Sequence, residues 1–244
     1  MNFSDHIIEE LSKIEFKYIQ PNNSRGLKYK IYKKMRKMFF KSDIINLKKN
    51  KISKFDLDYL KNISLIKDYN HMSAPAIGIM INKICRQLES NQIFLNIGAY
   101  KGFSTISGMI NTTCEVHSVD NFSEFDGPEK TFFENFKIFK NSKHFFYQED
   151  YELFFKKWEK KIDFYIYDAD HSYEHQYKNL EIAKNFFVKN TLIFIDDFNI
   201  TDVENATRDF LAKYPNQFEI IKEIKTAFNM HPTFWNGFIL LKKK

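Results

Sequence analysis

At 244 residues, with 43% apolar and 28% charged residues and a net charge of +6, the chain has the composition of a globular protein with room for one sizeable core. No apolar run approaches the roughly 18 residues of a membrane span. Cys85 and Cys114 stand alone, which excludes a disulfide framework and a zinc-type cysteine spacing. The opening residues, Met1 to His6, lack the basic-then-apolar order of a secretory signal, so a reducing, cytoplasmic location is expected.

Residues 1–72 read as a helical, basic extension or cap, with Ile7, Ile8, Leu11 and Ile14 spaced for one helix face and a break at Pro21-Asn22-Asn23. Residues 25–54 concentrate the basic charge: twelve Lys and Arg against the single acid Asp43. That stretch is either a solvated helical face or a docking surface for an anionic partner. No nucleic-acid-binding motif accompanies the charge, so no nucleic-acid partner is expected. A second unit, 73–244, opens with a helix near Ser73-Ala74-Pro75, where Ser73 is the candidate N-cap and Ile77, Met80, Ile81 and Ile84 share a face.

From residue 91 short apolar runs alternate with helical stretches. The runs are 93–97, 115–119, 145–147, 162–167 and 192–195, followed by 218–224 and 237–241. Continuous apolar runs are the mark of parallel strands covered on both faces. The expected fold is therefore α/β: a doubly wound, Rossmann-like sheet of seven strands, mostly parallel with the last strand antiparallel, preceded by the helical cap.

Three local signals point to a nucleotide-type ligand. Asn96-Ile97-Gly98-Ala99-Tyr100-Lys101-Gly102-Phe103-Ser104-Thr105 follows a strand and opens a helix. Its two glycines permit a tight turn, and a helix N-terminus there presents free amides. The loop lacks the third glycine of the dinucleotide fingerprint and the Lys-Ser/Thr of a phosphate-binding loop. Asp120, with Asn121 beside it, ends the second strand, where a carboxylate can accept both hydroxyls of a ribose. Asp150 follows the third strand and could meet an adenine amino group.

This order of motifs, together with Tyr167-Asp168-Ala169-Asp170-His171-Ser172-Tyr173-Glu174, resembles the class I S-adenosylmethionine (SAM)-dependent methyltransferases. Within that class it is similar to the small O-methyltransferases of the macrocin and catechol types. The resemblance implies SAM as cofactor, held by Asn96, Gly98, Tyr100, Gly102, Ser104, Thr105, Asp120, Asn121, Asp150 and Asp168. Asn96 departs from the acid usual at its position.

Asp168 and the pair Asp196-Asp197 end neighbouring strands, so three carboxylates are expected to converge, and their repulsion is relieved by a divalent ion, Mg²⁺. The metal-dependent relatives carry two acids at this separation. An attacking hydroxyl must also lose its proton, and Asp170 and His171 are the candidate bases. Tyr173, Phe198, His231, Phe234 and Trp235 are candidates for the acceptor pocket.

The function expected is O-methylation of a small hydroxylated acceptor, a saccharide or other polyhydroxylated metabolite, with a homodimer as an allowed assembly. The alternatives are a metal-independent methyltransferase of the same fold and a non-catalytic SAM-binding scaffold that docks through residues 25–54.

Overall fold

The computed structural model describes residues 54–68, 72–125, 127–231 and 234–244. Most of the expected helical cap and all but one residue of the basic stretch lie outside the described residues, and helices are numbered from the first described one. In chain order the elements are α1 (Lys54–Ile63), α2 (Pro75–Cys85), β1 (Ile93–Ile97), α3 (Phe103–Met109), β2 (Glu115–Val119), α4 (Glu129–Phe139) and β3 (His144–Tyr147). They continue with α5 (Tyr151–Phe155), β4 (Ile162–Tyr167), α6 (Tyr173–Ala183), β5 (Phe187–Asp196), α7 (Thr201–Lys213), β6 (Phe218–Ile224) and β7 (Phe238–Lys243).

The strands form one sheet in the order β3-β2-β1-β4-β5-β7-β6. β1 to β5 pair in parallel, and β7 runs antiparallel between β5 and β6. This is the expected doubly wound, seven-stranded α/β architecture. The strand order reverses between β1 and β4, and in open α/β sheets the crevice beyond the strand C-termini at such a reversal receives the ligand.

Side-chain alternation splits the core in two. Phe94, Phe164, Ile166, Leu192, Phe194, Phe238 and Leu240 face one layer, covered by α1 to α4. Leu95, Ile97, Tyr165, Tyr167, Ile193, Ile195, Ile239 and Leu241 face the other, covered by α5 to α7. Because both faces are covered, the strands show the unbroken apolar runs from which they were read.

The elements differ in detail from the expected ones. Ser73 is not the cap of α2: Ala74 holds the N-cap position without a side-chain bond, and Pro75 starts the helix with its preset φ. α2 is buried along its entire length, not on one stripe. β5 begins at Phe187, five residues before its apolar run, because an irregular lead-in is tied to β4 by the Thr191 hydroxyl, which donates to the Ile162 carbonyl at 2.6 Å.

Candidate active site

The turn after β1 is built around a backbone crossing. Asp168 N donates to Ile97 O at 2.9 Å, so the end of β4 passes directly over Gly98. A Cβ at Gly98 would stand 1.9 Å from the Asp168 carbonyl oxygen, and its φ of +89° is a left-handed value that disfavours any other residue. Gly102, at φ +97°, is the N-cap of α3 and closes the turn with a bond from its amide to Ala99 O at 2.7 Å.

Asp120, at the tip of β2, fastens this turn. Its Oδ2 accepts from the amides of Ala99 at 2.7 Å and Tyr100 at 2.8 Å, and its Oδ1 accepts from the Phe122 amide at 2.7 Å. The residue read as a ribose acceptor is thus also the clamp that holds the loop. Asn121 closes a small turn onto the Ser123 amide, and Asp150 caps α5 through the Glu152 amide at 2.8 Å.

A cavity of about 220 Å³ lies over these residues. Gly98, Tyr100, Ser104, Asp120, Asn121, Asp150, Asp168, Asp170, His171, Asp196 and Asp197 all line it. Asn96, Gly102 and Thr105 do not. Asn96 shares the strand face of Phe94, which points beneath α3 and away from the sheet edge. There its Nδ2 donates to Gly98 O at 2.8 Å and to the Thr105 hydroxyl at 3.1 Å, while Thr105 and Ser118 bond each other at 2.8 Å. Both Asn96 and Thr105 are fully buried. They staple the turn from below.

The acidic half of the cavity gathers Asp168, His171 and Asp197, whose candidate ligand atoms lie within 4.8 Å of one another. His171 Nε2 stands 2.9 Å from Asp197 Oδ2 and 3.6 Å from Asp168 Oδ1. It lacks the alignment of a directed hydrogen bond to either. Burial opposes a charge on this imidazole, but the two carboxylates outweigh it and push its pKa up to about 11.

Asp196 lines the same cavity but stands apart from this group. Successive residues at a strand end point to opposite sides, and Asp197 adopts a left-handed φ of +56°, which separates the two carboxyls further. The Oδ1 of Asp196 accepts from the Asp197 amide at 2.9 Å. Burial first, then the charges of Asp197 and Asp168, hold its carboxyl well above the usual range. Asp168 is raised in the same direction, by its enclosure and by Asp197. Asp170 turns outward: its Oδ1 accepts from the Ser172 amide at 2.8 Å, and against the effect of burial this bond and the Ser172 hydroxyl keep it below its ordinary value.

The opposite wall is apolar. Ile77 and Ile81 of α2, Phe103, Phe194 and Trp235 line it and belong to a single core cluster. Of the five aromatic candidates for the acceptor pocket, Trp235 alone lines the cavity. Phe198 is fully buried in the opposite core layer, Tyr173 bonds Asp209 at the surface, and His231 and Phe234 lie behind Trp235 in its loop. The sequence reading missed Ile77, Ile81, Phe103 and Phe194 as wall residues, although it placed the two isoleucines on one helix face. It also missed Asn236, whose Nδ2 donates to Asp197 Oδ1 at 2.6 Å.

Fold and site together define a doubly wound α/β domain with a nucleotide-type loop and an acidic cluster at its strand reversal. Residues 95–198 match the family model of a methyltransferase domain. Three solved structures share the fold. The O-methyltransferase from Bacillus cereus in complex with S-adenosylhomocysteine (SAH) is 15% identical over 79% of this chain and 91% of that one, with a TM-score of 0.56. The O-methyltransferase TomG from Streptomyces achromogenes, involved in tomaymycin synthesis and solved with SAM, is 10% identical over 77% and 96%, with a TM-score of 0.56. SAH-bound methyltransferase PaMTH1 from Podospora anserina is 16% identical over 94% and 100%, with a TM-score of 0.57. No curated protein matches the chain. The likeness to a methyltransferase domain thus spans residues 95–198, and the solved neighbours share the doubly wound fold of the whole sheet.

Proposed function

We propose that the chain is an O-methyltransferase that passes the methyl group of SAM to a hydroxyl of a small acceptor with the help of a divalent cation. The observation that carries this reading is one cavity holding both a glycine turn clamped by Asp120 and the cluster of Asp168, His171 and Asp197. Asp120 and Asn121 would hold the ribose, Asp150 the adenine amino group, and the turn from Gly98 with Ser104 the methionine end. Asp120 has acceptor capacity beyond its three amide bonds.

The donor set suits a cation. Two carboxylates face each other across an imidazole nitrogen that makes no aligned hydrogen bond, and the two carboxylates alone are an oxygen set of the kind Mg²⁺ takes. A divalent ion there supplies the positive charge the carboxylates require and lowers the pKa of an acceptor hydroxyl. The same two carboxylates that raise His171 would be neutralised by a bound cation, which frees its imidazole to take the acceptor proton; Asp170, bonded outward to Ser172, is less suited to do so. The apolar wall excludes water and presses the acceptor toward the turn, so that oxygen and methyl carbon meet in line.

The acceptor class is a saccharide or another polyhydroxylated metabolite: such a ring offers hydroxyls to Asp168 and Asp197 and an apolar face to Trp235. Cys85 and Cys114, both free and buried, suit a reducing cytoplasm. Among the described residues no helix is long and apolar enough to cross a membrane.

The test is calorimetric titration with SAH, with and without Mg²⁺, followed by transfer of labelled methyl from SAM to a panel of glycosides and polyols. Micromolar SAH binding and transfer abolished by chelation are expected. Absence of SAH binding under all conditions sinks the reading, and transfer that survives chelation removes the cation from it.

A further inference from the structure

We propose that Asn236 is a positioning residue that fixes the Asp197 carboxylate and couples it to the Trp235 wall of the cavity. The inference rests on the cation-assisted reading above and adds a residue that lies outside the stretch matched by the methyltransferase family model.

Asn236 uses every polar atom of its side chain. Its Nδ2 donates to Asp197 Oδ1 at 2.6 Å, and its Oδ1 accepts from the Met230 amide at 2.6 Å. Its backbone carbonyl accepts from the Asn199 amide at 2.7 Å. With Oδ1 of Asp197 held this way, Oδ2 is left facing His171 at 2.9 Å. A carboxylate that binds a cation is commonly oriented by such a second hydrogen bond, which selects the oxygen presented to the ion. Asp197 needs that restraint, because its φ of +56° places it in a turn and not in the strand.

The same short segment carries the wall. Trp235 adjoins Asn236, and its backbone is held by paired bonds with His231, at 2.8 and 2.9 Å, and by the Thr226 hydroxyl at 3.0 Å. Gly237, at φ +77°, completes the turn where a Cβ would meet Ile224 O at 2.5 Å. A movement of the Asp197 carboxylate therefore pulls on Asn236 and, through one peptide bond, on Trp235. Cation binding and the shape of the acceptor wall are linked through this residue.

The experiment titrates the SAH complex of the full chain with Mn²⁺ by calorimetry. Asn236→Ala weakens Mn²⁺ by roughly 10- to 100-fold while SAH affinity stays within about threefold. Asn199→Ala is the control for general loosening of the loop: it cuts the side-chain bonds to Thr226, at 2.9 to 3.1 Å, and leaves the bond to Asp197 intact. It keeps Mn²⁺ affinity within about threefold. Urea midpoints confirm that both variants fold.

A second readout uses a Trp158→Phe background, in which Trp235 is the one tryptophan left. Addition of Mg²⁺ shifts its emission, and Asn236→Ala abolishes the shift. Unchanged Mn²⁺ affinity in Asn236→Ala overturns the proposal while the cation-assisted reading stands. Equal weakening by Asn199→Ala overturns it as well, by reducing Asn236 to a loop-packing residue. A wild-type SAH complex that binds no Mn²⁺ overturns both the coupling and the cation.

Discussion

The two halves of the cavity are built on opposite principles. On the β1–β2 side the polar groups bond one another within the fold: the Asp120 carboxylate takes three backbone amides, and the Asn96 amide nitrogen, Thr105 and Ser118 staple the turn from beneath. On the β4–β5 side two carboxyls, Asp168 and Asp197, crowd one imidazole that aligns with neither, Asp196 stands close by, and burial pushes Asp168 and Asp196 toward their neutral forms. The first half is preorganised, a rigid cradle whose geometry exists before a ligand arrives. The second half holds uncompensated charge, which is what a site looks like when its balance is completed from outside.

The sharpest way to break the cradle is Gly98→Ala. The added methyl meets the Asp168 carbonyl oxygen at 1.9 Å, and the φ of +89° strains any side chain, so the two strand ends must part. A stability loss of about 4 kcal/mol is expected in urea unfolding, together with loss of SAH binding. A variant that unfolds like the wild type would show that the turn is not rigid and remove the contrast between the halves.

Next in size is a double dissociation. On the proposed cation-assisted reading, Asp197→Ala lowers turnover about 10³-fold and leaves SAH affinity within a few fold, since that reading uses its charge in the transition state and not in the cradle. Asp120→Ala does the reverse, weakening SAH by about 2 kcal/mol, or roughly 30-fold. Steady-state kinetics and calorimetry on the same preparations decide it: if both substitutions weaken SAH equally, the cavity is one unit.

The preorganised half was the more legible one in the sequence, for a physical reason. Parallel strands buried on both faces leave unbroken apolar runs, and a left-handed turn leaves glycines, so Ile93–Ile97, Gly98 and Asp120 announce themselves locally. Asn96 could have been placed correctly from parity alone: it shares the face of Phe94, so it points under α3 and not into the crevice. The separation of Asp196 from Asp197 was not legible, because it depends on a left-handed residue that is not glycine. The apolar wall assembles Ile77, Ile81, Phe103, Phe194 and Trp235 from four parts of the chain, and Asn236 carries no local signal at all. What the sequence spacing encodes is strand-end chemistry; what crosses from one segment to another is set by packing.

The smallest effect sharpens the comparison from behind the charged half. His231 is buried in the loop that carries Trp235, and burial lowers its pKa to about 4 from an ordinary value of 6.5. Between those two values the unfolded chain binds a proton that the folded chain refuses, so stability rises with pH across that window. The contribution is complete above about pH 6.5 and is lost as the pH falls through 4. His231→Gln removes it, since a neutral amide has no proton to take up. Urea unfolding from pH 7 to pH 4 is expected to show the wild type losing about 2 kcal/mol more than the variant. The difference between the two curves isolates His231 from the raised carboxyls of Asp168 and Asp196, whose titration has the opposite sign and is common to both proteins. Identical slopes would mean that the loop already admits the imidazolium, and that the wall behind the carboxylates is as open to water as the cluster it encloses.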